Sequence, residues 1–461
     1  MDDNRLTSKE RRLLAGLTLV FFGSILNLSM FSMAIPHIRL EYGLPADTTS
    51  WFTIVFNTPY ILLMPFYGRL GDLLGKRRML VSGAIVFVGG CVMCLFAAGV
   101  PLLIAGRVVQ GIGASAISPL CLSIITEQIG NKKRGKAIGT WNSFGPMAGI
   151  LGPLAAGFLI ELIGWRSIFL PSVIFVALSF PVMFKLLPKD AIFTGTINAL
   201  RSYDWPGFLF FSISLSSIIL YISSRVVTGR EPFTDWRFLI PAGIGVALFI
   251  LRERTPKGRF IDLTLLKERN FTVASLCIGV RMFLLRGIAF LIPLFITEIY
   301  GFTATKTGLL VAVHSGFLLL TMRIGGIIAD KISNRRPVMI GLSVQAASFI
   351  LLATAAGSTH ILPLLGALAL SGSAAGFSIA ALHHTAMYSV AAQNAGSAAG
   401  LHSMIRFIGA LFGSAVAGVV LEQGLGNFAA GGLAYRGSFV VMAAVGCAGF
   451  LLSLTMKEIK R

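Results

Sequence analysis

The chain has 461 residues, of which 55% are hydrophobic and 13% are charged, and its formal net charge is +20. Soluble domains carry about 25% charged residues, so this composition excludes an ordinary water-soluble protein. The basic residues lie mainly in short loops between apolar segments, which excludes a nucleic-acid-binding surface as the reason for the positive charge.

Apolar segments of roughly bilayer-crossing length follow one another along the chain. We predict fourteen spans, at residues 13–35, 51–74, 79–98, 101–128, 136–162, 166–187, 206–224, 236–251, 270–297, 304–329, 337–357, 361–391, 396–422 and 437–456. The first segment is too long for the core of a signal peptide, so we expect it to be retained. With an even number of spans, both termini lie on one side. The loops of that side hold most of the 39 lysines and arginines, which predicts a multi-pass cell-membrane protein with cytoplasmic termini.

One short sequence occurs twice. The segments "GRLGDLLGKRR" at 68–78 and "GIIADKISNRR" at 326–336 align without a gap, and each one ends a span and enters a short cytoplasmic loop. The matched positions are Gly68 with Gly326, Asp72 with Asp330, and Arg77 with Arg335. A repeat of this kind predicts two homologous halves with a transport path between them.

The repeat also predicts the domain boundaries. Six spans precede residue 190 and six follow residue 269. We therefore expect an N-terminal six-helix bundle at 1–190 and a C-terminal six-helix bundle at 270–461. The segment 191–269 would supply two inserted spans and a cytoplasmic linker.

Basic and titratable side chains interrupt the predicted spans. They are Arg107, Arg281, Arg286, His314, His383, His384 and Arg406, the last lying four residues after His402. All 19 acidic residues fall in loops or near span ends, so the predicted interior is positive or protonatable. Intramembrane ionisable residues are functional by default. The alternatives are a histidine satisfied by hydrogen bonds, and an arginine that bonds backbone carbonyls or reaches outward to the interface.

Helical geometry limits how many of these side chains share a face. His383 and His384 point about 100° apart, so one of them faces a cavity at most. Arg281 and Arg286 are about 140° apart and need not share a face. Arg281 lies about eleven residues into its span, and we expect it to be the better candidate for contact with a cavity or ligand.

Several motifs, in a fixed order, resemble those of the major facilitator superfamily, and more narrowly its fourteen-span drug/proton antiporter branch. They are "GRLGDLLGKRR", "GRVVQGIGAS" (106–115), "GPMAGILGPLAAG" (145–157), "GWRSIFL" (164–170), "YDWPG" (203–207) and "FIDLTLLKERNF" (260–271). The resemblance covers essentially the whole chain. It implies an all-α integral membrane protein with the major facilitator fold, that is, two six-helix bundles plus two inserted transmembrane helices. It also implies alternating access and export driven by proton antiport.

The resemblance suggests roles for the motif residues. Asp72 and Arg77, with Asp330 in the second copy, would latch one conformation. The alternative is that these residues only fix topology and packing. Arg107 matches the arginine of the fourth-span motif and would take part in coupling or gating, with Arg406 as a further candidate. Gly149 and Pro153 lie in the fifth-span motif, where small residues and prolines suit a rocking interface or ordinary helix packing.

The first span departs from the family pattern. In "LNLSMFSMAIPHI" (26–38), Asn27 stands where the family usually has an aspartate that is associated with proton coupling and cationic drugs. Asparagine does not titrate, so this position carries no proton and no counter-charge for a cation. His314, His383 or His384 would be the replacement, because histidine titrates nearest neutral pH.

These observations predict a secondary active transporter, not an enzyme, that exports small amphipathic compounds of anionic or neutral character. The open alternatives are an importer or uniporter of an organic anion, a lipid translocase of the same fold, and a non-transporting sensor. No Walker-type loop is present, and the five cysteines lie in apolar segments as packing residues. We therefore expect no metal or redox cofactor, a proton gradient as the energy source, and partners limited to the bilayer and a small molecule. We expect the transporter to function as a monomer.

Overall fold

The computed structural model describes residues 6–129, 131–187, 204–253, 263–331, 333–356, 360–390, 395–427 and 431–458. Regular structure in these ranges is helical throughout. The long helices are α1 (Ser8–Tyr42), α2 (Ala46–Leu74), α3 (Lys76–Leu95), α4 (Val100–Gln128), α5 (Asn131–Ile163), α6 (Phe169–Leu186), α7 (Trp205–Ile222), α8 (Leu239–Glu253), α9 (Arg269–Tyr300), α10 (Ala304–Lys331), α11 (Arg336–Ala355), α12 (Leu362–Tyr388), α13 (Ala395–Asn427) and α14 (Gly431–Leu454).

Twelve helices in the described ranges are long and apolar enough to cross a membrane, by length and composition. The helices α2 and α8 are outside this set. Helix α8 has 15 residues, or about 22 Å, and is shorter than the ~30 Å hydrocarbon core of a bilayer. The multi-pass character is thus shown, whereas the count of fourteen spans is not confirmed and stays a prediction.

The chain forms two compact units. Unit 1 contains Met1–Tyr42 and Val55–Tyr203, and unit 2 contains Gly43–Ile54 and Asp204–Arg461. The first nine residues of α2 therefore belong to unit 2, and the rest of that helix belongs to unit 1. The predicted division at 190 and 269 stays a prediction.

The same helix pairings occur in both units. In unit 1, α1 packs against α5 and α6, and α3 packs against α4 and α6. In unit 2, α9 packs against α13 and α14, and α11 packs against α12 and α14. The loop repeat in the sequence therefore accompanies a repeated packing arrangement that involves five helices of each unit.

Glycines allow some of these helices to touch through their backbones. A Cβ atom on Gly409 of α13 would lie 2.1 Å from the carbonyl oxygen of Gly279 in α9. On Gly372 of α12 it would lie 2.0 Å from the carbonyl oxygen of His314 in α10. Larger residues are therefore excluded from both contacts. The first keeps α13 close to α9, and the second keeps α12 close to α10.

The inserted helices α7 and α8 pack against each other as a pair within unit 2. Asp204 accepts a hydrogen bond from the backbone N–H of Gly207 (3.2 Å), and its carboxylate also bonds Nε of Arg252 at the end of α8 (2.8 Å). The rings of Phe211 and Phe249 meet at 5.7 Å between centroids. One acidic cap thus joins the two ends of the pair.

Candidate functional site

Unit 1 buries the guanidinium of Arg107. The residue is 0% exposed, and its Nη1 donates to Oδ1 of Asn27 (3.1 Å) and to Oε1 of Gln110 (2.7 Å). Asn27 and Arg107, assigned from sequence to the cavity and to coupling respectively, are therefore in direct contact. Their roles in transport stay predictions.

Two aromatic rings also lie against this guanidinium. Its central carbon lies 3.9 Å from the ring centroid of Phe31 and 4.4 Å from that of Phe56. Gln110 donates in turn to Sγ of Cys91 (3.2 Å). Amide oxygens and ring faces attract a cation without cancelling its charge, so these contacts solvate Arg107 with uncharged groups.

Unit 2 buries a second arginine, Arg281, on α9. It is 1% exposed, and its Nε donates to the carbonyl oxygen of Ala375 in α12 (2.8 Å). Its Nη1 lies 3.6 Å from Sδ of Met282. Arg281 forms no ion pair with any residue that the structure describes. It is therefore a buried positive charge held by a backbone carbonyl.

A hydrogen-bonded chain of three side chains, here called the imidazole chain, joins α9, α13 and α12 beside Arg281. Oγ of Ser275 lies 3.0 Å from Nδ1 of His402, and Nε2 of His402 lies 3.1 Å from Nδ1 of His383. His402 is 1% exposed, whereas His383 is partly exposed. The position of His402 four residues before Arg406 was the sequence feature that pointed to it, but spacing alone did not reveal its histidine partner.

Two arginines lie close enough to the imidazole chain to act on it. They are Arg406 and Arg281, both of which act electrostatically on His383. The guanidinium of Arg406 also lies over the ring of Phe407, at 4.6 Å from the centroid. Positive groups that lie together in a low-dielectric interior attract anions and repel cations. This part of unit 2 is suited to a negatively charged group.

Other predicted site residues lie apart from this chain. His384 stacks on the ring of Tyr388 at 4.2 Å, so the two adjacent histidines do point in different directions. His314 is 7% exposed, and neither ring nitrogen has a hydrogen-bond partner of good geometry in the described ranges. Arg286 is half-buried on α9.

The arginines of the repeated loop make equivalent contacts. Nη2 of Arg77 donates to the carbonyl oxygen of Phe184 at the end of α6 (2.9 Å). Nη2 of Arg335 donates to the carbonyl oxygen of Leu454 at the end of α14 (2.8 Å). The side chains of the two aspartates, Asp72 and Asp330, lie outside the described part of the structure, so the latch stays a prediction.

The fifth-span motif lies in α5. Pro153 is buried and Gly149 is half-buried. A Cβ atom on Gly152 would lie 2.7 Å from the side chain of Ser29 in α1. The motif thus includes a close contact between α5 and α1, while its gating role stays a prediction.

These features define an all-helical, multi-pass membrane protein with repeated helix packing and buried basic residues. The sequence matches the Major Facilitator Superfamily over residues 17–414 and 275–460, and the chain belongs to this transporter family. The family and the fold point to a transporter rather than an enzyme.

Relatives and a solved structure agree with this assignment. The multidrug resistance protein Stp of Mycobacterium tuberculosis (strain CDC 1551 / Oshkosh) is 26% identical over 411 residues, covering 89% of this chain and 75% of Stp. The multidrug transporter protein MdtP of Bacillus subtilis (strain 168) is 28% identical over 434 residues, covering 91% and 77% of the two chains. The crystal structure of a D-xylose-proton symporter matches with a TM-score of 0.68 over 97% of this chain and 96% of the symporter, at 14% identity. The last similarity concerns the fold alone.

Proposed function

We propose that this protein exports small amphipathic organic compounds, anionic or neutral, by alternating access and in exchange for protons. The observation that carries the substrate class is the buried positive charge of Arg281, which is held by a carbonyl oxygen beside the imidazole chain. A buried charge is costly unless it is paired. An anionic group of a substrate would supply the missing partner.

The first span supports the same substrate class. Where the family's first-span motif suggests an aspartate, the amide of Asn27 accepts a hydrogen bond from Arg107. A permanent cation that reached this position would meet a guanidinium and an amide, with no carboxylate from Asn27. The position therefore favours neutral or anionic compounds over cations.

The relatives support export of drug-like compounds. Stp and MdtP are named as a multidrug resistance protein and a multidrug transporter. At this level of identity the names support a class of function. The particular compound depends on the residues of the site. We place the transporter in the cell membrane with both termini cytoplasmic, on the asymmetry of Lys and Arg between the loops. We further propose that it functions as a monomer.

Transport by purified protein in liposomes tests the proposal. Radiolabelled taurocholate would serve as the amphipathic anion and ethidium as the permanent cation, each with and without an imposed pH gradient. We expect taurocholate to move against its gradient when protons flow the other way, and ethidium to move at the rate of protein-free liposomes.

Other outcomes would identify a different function. Preferential transport of ethidium would contradict the substrate class. Taurocholate transport that does not respond to the pH gradient would contradict proton exchange and favour a uniporter. Movement of headgroup-labelled lipid between leaflets, without taurocholate transport, would favour a lipid translocase.

A further inference from the structure

A carboxylate is buried at the start of α2, in a segment of unit 2. Asp47 is 1% exposed and lies just before the predicted second span. Its Oδ1 accepts hydrogen bonds from the backbone N–H of Thr48 (2.6 Å) and from the hydroxyl group of Thr48 (3.3 Å). Its Oδ2 is buried and has no hydrogen-bond partner in the part of the chain that the structure describes. A carboxylate oxygen in this position lacks the partners that an ionised group needs.

A second carboxylate reaches the same helix end. Oε2 of Glu422, near the end of α13, accepts a hydrogen bond from the backbone N–H of Ala46, the first residue of α2 (2.7 Å). The two helices are in close contact here, because a Cβ atom on Gly418 would lie 2.6 Å from the side chain of Ser50. Glu422 therefore stays next to Asp47 as long as this contact persists.

One cation faces the pair from the inserted helices. Nη1 of Arg225, in the connection between α7 and α8, lies 3.7 Å from Oε1 of Glu422. Glu422 and Arg225 are the charged groups that act on Asp47 among the described residues. Two carboxylates and one arginine carry a net charge of −1 when both acids are ionised. Binding one proton neutralises the group.

The surroundings of Asp47 favour its protonated form more than water does. Burial raises the pKa of Asp47 above its ordinary value, and the negative charge of Glu422 raises it further. The hydrogen bond from Thr48 and the charge of Arg225 act in the opposite direction and lower the pKa of Asp47. Like-charged carboxylates that share a buried site commonly hold one proton between them.

We propose that Asp47 and Glu422 form a proton-binding site, tuned by Arg225, that loads the transporter from the side opposite its termini. The start of α2, the connection after α7 and the end of α13 are all predicted on that side, and the contacts bring these three segments together. The inserted helices thereby gain a role, since they supply the cation. This inference rests on the proposed function, because the bound proton is the one that is exchanged.

Infrared difference spectra of the purified protein test the site without any substrate. Titration should show a protonated carboxyl band that disappears in Asp47→Asn. Glu422→Gln should lower the pH midpoint of this band by about one unit, and Arg225→Gln should raise it by a similar amount, because they remove a like charge and an opposite charge respectively. Glu231→Gln, which changes an exposed acid of the same connection, is the matched control and should leave the midpoint unchanged. A midpoint that moves with neither Glu422→Gln nor Arg225→Gln would overturn the site, as would a titrating band that persists in Asp47→Asn.

A liposome experiment separates this inference from the proposed function. Asp47→Asn should retain exchange of labelled for unlabelled taurocholate but lose its acceleration by a pH gradient. If the wild-type protein itself ignores the gradient, proton exchange fails, and the infrared titration still decides whether the site binds a proton. If Asp47→Asn responds to the gradient as the wild type does, the site does not carry the coupling proton.

Discussion

Oδ1 of Asn27 lies 3.1 Å from Nη1 of Arg107 and accepts a hydrogen bond from it in the buried interior of unit 1. A neutral amide thus meets a guanidinium at the position where the family's first-span motif suggests a carboxylate. Asn27 therefore differs from that motif by bonding Arg107 without a negative charge.

Asn27→Asp should reverse this difference. A carboxylate at this distance would form a charge-assisted hydrogen bond with Arg107 and add a titratable group. We expect transport of ethidium to appear and transport of taurocholate to fall, with a new dependence on pH. Asn27→Ser is the control, because it shortens the side chain without adding charge. It should cost about 1–3 kcal/mol of stability by weakening the buried hydrogen bond, and it should not confer ethidium transport. Equal ethidium transport by both variants would contradict the electrostatic explanation.

Arg281→Met should abolish the preference for anions. Methionine fills a similar volume but removes the buried charge that we assign to the substrate's anionic group. We expect taurocholate transport to fall by at least about tenfold, the equivalent of about 1.4 kcal/mol, measured as initial rates in liposomes. Arg281→Lys should retain part of the activity, because it keeps the charge and loses the planar geometry of the guanidinium. Arg12→Met, at an exposed position near the start of α1, should transport as the wild type does. Wild-type transport rates in Arg281→Met would contradict the assignment of Arg281 to the substrate site.

Arg77→Gln and Arg335→Gln should each weaken the end of a helix. In each unit the arginine donates to a backbone carbonyl at the C-terminal end of α6 or α14, where a positive charge is favourable. We expect each variant to lose about 1 kcal/mol or less and the double variant to show the sum, because the two arginines stabilise different helices. Thermal unfolding in detergent measures this loss. If Arg77→Gln instead unfolds like the wild type but fails to transport, Arg77 acts as the conformational latch that the motif suggests.

The sequence predicted the all-helical, multi-pass character of the chain and an internal repeat, but not the span count or the contacts inside the units. Apolar segments of bilayer length predict spans wherever they occur, and the loop repeat indicated the shared helix pairings. The contacts of Asn27 with Arg107 and of His383 with His402 depend on how each helix is rotated about its axis. One residue of error in a span boundary rotates the expected face by about 100°. The burial of Asp47 was missed for a different reason, since an acid before a predicted span looks like a loop residue until the end of α13 packs against it.

The stability of the protein should depend on Asp47 with a sign that is unusual for an acid. Its pKa is raised in the folded protein, mainly by burial, so the folded state holds a proton at pH values where the unfolded chain has lost it. Stability therefore falls as the pH rises from about 4, the ordinary pKa of an aspartate, through the folded pKa. Asp47→Asn removes this penalty and can still bond Thr48. We expect the variant to unfold at a higher temperature than the wild type at neutral pH and the difference to vanish near pH 4. A variant that is less stable at neutral pH would contradict the raised pKa.

Asp235 should show the opposite dependence. Its carboxylate is fully buried and accepts hydrogen bonds from Nε and Nη2 of Arg237 (2.7 and 2.6 Å) and from the hydroxyl of Thr228 (2.9 Å). These groups, Arg237 foremost, hold the pKa of Asp235 well below its usual range. The folded state therefore loses its proton more readily than the unfolded chain. The stabilisation is complete above the unfolded pKa of about 4 and is lost only as the pH falls through the folded pKa. Asp235→Asn should lower the melting temperature by a constant amount between about pH 5 and pH 8, and the difference should shrink in stronger acid. Glu231→Gln, an exposed neighbour, is the control. A difference that disappears already near pH 6 would show that the ion pair with Arg237 does not hold this connection together.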